Sequence, residues 1–209
     1  MALFTCDVAE VALVLRRGGI AVYPTETFYG LGAVASLPDA IARLARAKFR
    51  PEGKPLPLVV ADRDMAFALW SAVPDEARVL AAAFWPGPLT LVSRAANGLP
   101  AEVAGPGTVG VRVPGSEVAR DLSRLSDAPL VSTSANLSGG EPVRRVEDLD
   151  PALALAVDAV LDGGPTPGGL PSTVVEVGPG RVVLVRGGAV PWPEILRAMR
   201  AAALPSAAD

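Results

Sequence analysis

Val8, Val11, Ala12 and Leu15 recur at the i, i+3, i+4, i+7 spacing of one helical face. Asp7 stands just ahead of them with Glu10 three residues on, a variant of the capping box, and Gly18-Gly19 ends the run. Residues 20–23 read as a short buried strand, which Pro24 cannot continue as a central strand because it lacks an amide donor. Pro38 suits the first turn of a helix over 38–48 that carries Ile41, Leu44 and Ala45 on one face. The pattern then predicts a strand at 58–61, helices at 63–70 and 75–84, and a Trp85-Pro86-Gly87-Pro88 turn. Strands follow at 89–93 and 108–113, and Val118, Leu122 and Leu125 mark a helix at 116–125. A strand at 129–132 feeds a polar loop over 133–140, followed by a helix at 150–157 and a strand at 159–161. Two β-rich runs at 172–177 and 181–185 flank Gly178-Pro179-Gly180 as a hairpin, and a last helix covers 192–200 before an Ala-rich end that frays. Strands and helices intermix from end to end, with no repeat and no dividing linker. The expectation is one α/β domain over 1–209, its core at about 8–197, with a mixed, twisted sheet.

Composition narrows the chemistry more than the fold. Half of the 209 residues are hydrophobic and a fifth are charged, ordinary stock for a sizeable core. With 21 Gly and 21 Pro, no single glycine motif carries much weight. A formal charge of −3 argues against a surface that traps nucleic acid, though not against a local basic pocket. The single cysteine, Cys6, cannot form an internal disulfide and reads as a filler in a reducing compartment. No apolar run reaches the ~20 residues that span a bilayer, and no basic-then-apolar leader opens the chain, so a cytoplasmic protein is expected. The chain has no histidine. That removes Ser-His-Asp and Cys-His catalysis and every imidazole metal site, leaving Lys, Arg, Asp, Glu, hydroxyls, backbone amides and a substrate-borne Mg²⁺.

Five segments invite chemistry. Gly30-Leu31-Gly32-Ala33-Val34-Ala35 matches the dinucleotide pattern in letters, but a polar Thr-Glu-Thr stretch precedes it and no suitable acid follows. Lys48-Phe49-Arg50-Pro51 sits where a helix ends. Its cations suit the helix macrodipole, and equally suit a triphosphate, with Arg gripping two oxygens and Lys supplying a point charge. Thr133-Ser134-Ala135-Asn136 follows a strand, as a plain polar loop or as a small-ligand clamp at the strand's carboxyl end. Pro171-Ser172-Thr173-Val174 and Arg186-Gly187-Gly188-Ala189 read alone as an edge-strand start and a basic turn.

Together these segments resemble the YrdC-like family of threonylcarbamoyl-adenylate synthases. The resemblance rests on Tyr23-Pro24-Thr25-Glu26-Thr27-Phe28-Tyr29-Gly30-Leu31-Gly32, Lys48-Phe49-Arg50-Pro51, Pro55-Leu56-Pro57-Leu58 and Trp85-Pro86-Gly87-Pro88-Leu89-Thr90. It continues through Val109-Gly110-Val111-Arg112-Val113-Pro114, Thr133-Ser134-Ala135-Asn136-Leu137-Ser138-Gly139, Pro171-Ser172-Thr173-Val174 and Arg186-Gly187-Gly188-Ala189, all in family order. It implies a YrdC-like α/β fold whose twisted mixed sheet, flanked by helices, has a concave ligand-binding face. It also implies synthesis of L-threonylcarbamoyl-adenylate from L-threonine, bicarbonate and ATP with release of pyrophosphate. A separate transferase complex would then modify tRNA, with direct tRNA binding weak at most. By the same resemblance Lys48 and Arg50 hold ATP phosphates, with Thr90, Ser134, Ala135, Asn136 and Arg186 on the nucleotide side. Thr25, Arg112, Thr133 and Ser172 line the threonine site, and Mg²⁺ rides on the phosphates rather than on protein ligands.

Two places depart from the family. Many members carry a histidine after the strand that follows Lys-x-Arg, where this chain has Leu58-Val59-Val60-Ala61. Many carry His-Pro after Val-x-Arg-x-Pro, where it has Gly115-Ser116-Glu117. The length corresponds to the short form, without the second domain that longer relatives append. An RNA-binding module of the same fold is the alternative, weakened by the negative charge and by three Trp and two Tyr. A maturation factor for carbamoyl transfer to another protein would carry zinc-binding and acylphosphatase-like regions as well.

Overall fold

A computed structural model describes residues 2–49 and 55–203. In chain order the elements are β1 (Leu3–Thr5), α1 (Val8–Arg16), β2 (Ala21–Pro24), β3 (Tyr29–Val34), α2 (Pro38–Ala47), β4 (Leu58–Val59), α3 (Arg63–Ala68) and α4 (Asp75–Phe84). They continue with β5 (Leu89–Arg94), β6 (Thr108–Arg112), α5 (Glu117–Ser126), β7 (Leu130–Ser134), a 3₁₀ turn at Val146–Asp148, α6 (Pro151–Ala156), β8 (Ala159–Leu161), β9 (Thr173–Gly178), β10 (Arg181–Arg186) and α7 (Trp192–Ala203). The ten strands form one mixed sheet in the order β1-β8-β2-β3-β7-β4-β6-β5-β9-β10. Among the described residues no helix is long and apolar enough to cross a membrane.

Alternation along the strands divides the core between the two faces. Ile20 and Val22 join Leu31, Val131 and Val160 in the larger apolar cluster. Their neighbours Ala21, Tyr23, Leu130, Ala159 and Leu161 pack under α1 and α5 through Val11, Leu15, Ala119 and Leu122. Four of the helices, α1, α3, α5 and α6, start where a side chain satisfies a first-turn amide: Asp7 accepts from Ala9, Asp62 from Met65, Ser116 from Ala119 and Asp150 from Ala152. Glu10 does not complete a capping box, because its carboxylate accepts instead from the Thr5 hydroxyl at 2.7 Å.

Four features differ from the sequence expectation. β1 is short enough to escape periodicity; it pairs with β8 at one sheet edge. Pro24 does end β2 inside the sheet, where the β8 ladder has already stopped at Val22 and no donor is required on that side. Thr133 and Ser134 belong to β7, paired with Leu31 and Gly30, so that strand runs further into the polar stretch than its apolar residues suggest. The expectation set no element over Tyr29–Val34, which is strand β3.

Gly32 explains the glycine within β3. A Cβ at Gly32 would lie 2.7 Å from the Tyr23 ring and 2.8 Å from the Val131 carbonyl oxygen, and neither the buried ring nor the paired backbone has room to retreat. At Gly30 the nearest atoms would be 3.4 Å away, an ordinary contact. Gly32→Ala is therefore expected to cost about 1–3 kcal/mol of stability by overpacking, and Gly30→Ala clearly less. Chemical denaturation of the two variants checks the difference in sign and size.

Candidate active site

The same alternation builds a cleft on the sheet. Leu89, Leu91, Val109, Val111, Val131 and Val175 face the core. Thr90, Val92, Gly110, Arg112, Ser132 and Val174, each next to one of these in sequence, face a cleft of about 530 Å³, within the ordinary range for a small-molecule site. Thr25, Thr27 and Phe28 from the β2–β3 turn, Thr133 and Ser134 from β7, Ser172 before β9 and Arg186 at the end of β10 complete its walls. The Trp85-Pro86-Gly87-Pro88 turn fixes the start of β5 from behind. The Trp85 indole donates to the Leu89 carbonyl at 2.6 Å and packs 6.3 Å from the Trp70 ring.

Two guanidiniums define the electrostatics. Arg112, at 8% exposure, donates from Nη1 to Oε1 of Glu26 at 3.1 Å. Arg186 donates to the Ser172 carbonyl at 2.7 Å and to its hydroxyl at 3.2 Å, and the Thr90 hydroxyl donates to that same Ser172 oxygen at 3.1 Å. Burial, then the positive charge of Arg112, holds the Arg186 guanidinium below its usual range. Two cations that disfavour each other across one cleft form a site that gains from an anion between them. The Thr25 hydroxyl is engaged in shaping its own turn. It donates to the Phe28 carbonyl at 2.7 Å and accepts the Thr27 amide at 3.2 Å.

Lys48 caps the end of α2, where a residue of the opposite charge would suffer from the helix dipole. Its side chain is buried, and the ammonium donates to the backbone carbonyls of Ser134 and of Asn136, the latter at 2.6 Å. Its own carbonyl accepts the Ser138 amide at 3.0 Å, so the lysine grips the loop after β7 from both sides. Lys48, Ala135 and Asn136 thus lie outside the cleft lining while Ser134 fronts the cleft. Ala135 is fully buried, and the Asn136 amide donates to Gly140 at 2.7 Å across its own turn. Arg50 lies outside the described residues.

Seven of the anticipated residues, Thr25, Thr90, Arg112, Thr133, Ser134, Ser172 and Arg186, therefore line one cleft. Thr27, Val92, Thr108, Gly110 and Ser132 line it too and were not anticipated. The period-two alternation of Thr108-Val109-Gly110-Val111-Arg112 contains the signal for two of them, since residues sharing Arg112's parity share its face. No group of three His, Cys, Asp or Glu side chains gathers among the described residues.

Comparison with known proteins bears on this cleft. A family model covering Sua5, YciO and YrdC, described as "Telomere recombination", matches residues 13–188. The threonylcarbamoyl-AMP synthase of Pyrococcus abyssi is 38% identical over 87% of this chain, which spans about half (54%) of that relative's length. That of Stenotrophomonas maltophilia is 39% identical over 71% of this chain and 82% of its own. The crystal structure of Pyrococcus abyssi Sua5 complexed with L-threonine superposes with a TM-score of 0.86 at 34% identity, covering 95% of this chain and 61% of that one.

Proposed function

The chain belongs to the Sua5–YciO–YrdC family, and from that premise we propose that it condenses L-threonine, bicarbonate and ATP into L-threonylcarbamoyl-adenylate with release of pyrophosphate. The observation that carries this reading is the pair of guanidiniums, Arg112 and Arg186, set in one hydroxyl-lined cleft. Each is a fork suited to an oxyanion. Arg112 takes the threonine carboxylate, with Thr25, Thr133 and Ser172 around the amino acid. Arg186, Thr90 and Ser134 face the nucleotide. Lys48 and Arg50 serve the phosphates, Lys48 by way of the loop of Ser134, Ala135 and Asn136 that it holds. A Mg²⁺ ion would travel on the triphosphate oxygens, which need no carboxylate cage from the protein.

The chemistry follows from this inventory. Threonine's amine and bicarbonate give a carbamate and water. A carbamate oxygen attacks the α-phosphorus, the bond from that phosphorus to the bridging oxygen of the β-phosphate breaks, and pyrophosphate leaves with the electron pair. The nucleophile is already an anion, so this step needs no histidine. Its obstacle is the approach of an anion to a polyanion, which fixed cations relieve. The cytoplasm, with its ATP and its tRNA-modifying transferase downstream, is the compartment this chemistry fits.

The expected result is pyrophosphate release from ATP that requires both threonine and bicarbonate. Full activity with glycine in place of threonine, or none with threonine, would sink the proposal.

A further inference from the structure

Four glycines lie within strands among the described residues: Gly30 and Gly32 in β3, Gly110 in β6 and Gly178 at the end of β9. A glycine inside a strand gives up stability, because it orders a freer backbone and packs no side chain, so each needs a local reason. Gly32 has one in the Tyr23 ring and the Val131 carbonyl that crowd it. Gly178 has one in the hairpin turn it enters. Gly110 has none among the described residues. Its backbone is regular strand, paired with Val92 of β5 in unbroken register between Leu91↔Val111 and Ser93↔Val109. A Cβ there would meet Cγ2 of Thr90 and Cγ2 of Val92 at 3.4 Å and Cβ of Pro57 at 3.8 Å, all ordinary contacts.

Gly30 and Gly110 both line the cleft, and both have room for a side chain. Their surroundings differ. The space over Gly30 is bordered by the Ser132 hydroxyl, the Thr25 methyl and the Tyr23 ring. Over Gly110 the nearest atoms are all carbon, two methyls and a proline ring. That space lies on the cleft face of β6 between Thr108 and Arg112, about 7 Å along the strand from each. Where packing within the protein does not call for a strand glycine, the close approach of a ligand does. A phosphate or a carboxylate gains nothing from a carbon-walled floor, whereas a flat ring buries a whole face on one.

Resting on the function proposed above, we infer that Gly110 is a specificity-determining residue: its missing side chain opens a carbon-walled slot between Thr90, Val92 and Pro57 that takes the flat purine ring of the nucleotide. The ring lies on the bare backbone of β6, with the two methyls and the proline ring at its edges. Any side chain at this position lifts the ring off the strand. Arg112, two residues along the same face, stays with the amino acid. One strand thus sets the base and the threonine carboxylate at a spacing fixed by backbone. Thr90 serves both sides of this arrangement, since its methyl borders the slot while its hydroxyl donates to Ser172 at 3.1 Å.

The test titrates wild type, Gly110→Ala and Gly110→Val with ATP, with pyrophosphate and with threonine, alongside thermal unfolding. Alanine and valine both suit a strand better than glycine, and the space admits a Cβ, so both variants are expected to unfold at or above the wild-type temperature. Gly110→Val is expected to weaken ATP binding about 10–200-fold, the range over which a single methylene is felt in a shaped apolar pocket. Gly110→Ala is expected to lose less, and the affinities for pyrophosphate and threonine to stay at their wild-type values in both. Unchanged ATP affinity in Gly110→Val, a loss as large for pyrophosphate as for ATP, or a loss confined to threonine would overturn the inference. So would a Gly110→Ala variant that unfolds well below wild type, since the glycine would then be structural. Wild-type protein that neither binds ATP nor releases pyrophosphate with threonine would remove the proposed function itself. Wild-type protein that does both, matched by Gly110→Val, would remove only this slot.

Discussion

Arg112→Ala is expected to lower kcat/KM for threonine about 10²–10³-fold while leaving the KM for ATP near its wild-type value. Truncating one member of an enclosed, hydrogen-bonded charge pair typically costs about 2–5 kcal/mol, and each 1.4 kcal/mol is a factor of ten. Two effects combine at this position. The substrate carboxylate loses its guanidinium, and Glu26, now without its partner at 3.1 Å, presents an unpaired negative charge to an incoming anion. Arg112→Lys is expected to fall between, since lysine restores the charge without the planar fork. The second effect is separable: adding Glu26→Gln to Arg112→Ala removes the stranded charge, so the double variant should bind threonine better than the sum of the single losses implies. Strictly additive losses in threonine binding, or an unchanged threonine KM in Arg112→Ala, would place the amino acid elsewhere in the cleft.

How far the sequence foretold this site depended on the kind of signal each residue carried. The helices were legible from apolar spacing, as in α4, whose bounds at Asp75–Phe84 coincide with the periodic run. The hairpin of β9 and β10 was announced by Gly178-Pro179-Gly180. β3 was not, because Tyr29-Gly30-Leu31-Gly32 has glycine on every second position, and glycine reads locally as a turn. Its reason for being strand is tertiary: the backbone must pass close over Tyr23 and Val131. The grouping of Thr25, Arg112 and Arg186 was foreseen through the order of motifs, since they lie far apart in the chain and meet only through the sheet order β2-β3-β7-β4-β6-β5-β9-β10. The Arg112–Glu26 pair spans 86 positions and no local pattern announces it. Its functional weight comes from what the fold sets beside it.

Lys48→Ala is expected to lower threonine-dependent pyrophosphate release about 10²–10³-fold, the usual loss on removing one group that stabilises developing charge. The structure gives this lysine a more involved part than a bare phosphate grip. Its ammonium holds the Ser134 and Asn136 carbonyls, and its backbone holds Ser138, so the loop after β7 owes its shape to this charged residue. Loss of the ammonium strands those carbonyls in a buried setting, worth about 1–3 kcal/mol in local stability, which alone could loosen the loop. Lys48→Met separates shape from charge: it fills much of the same space without a donor or a charge. If charge at the phosphates matters, Met and Ala lose activity alike, with raised KM for ATP and lowered kcat, even where Met restores thermal stability. A Lys48→Met variant with near-wild-type turnover would instead confine this residue to fixing the loop. The cation that meets the phosphates would then have to be sought elsewhere, with Arg186 on the cleft wall the first to examine.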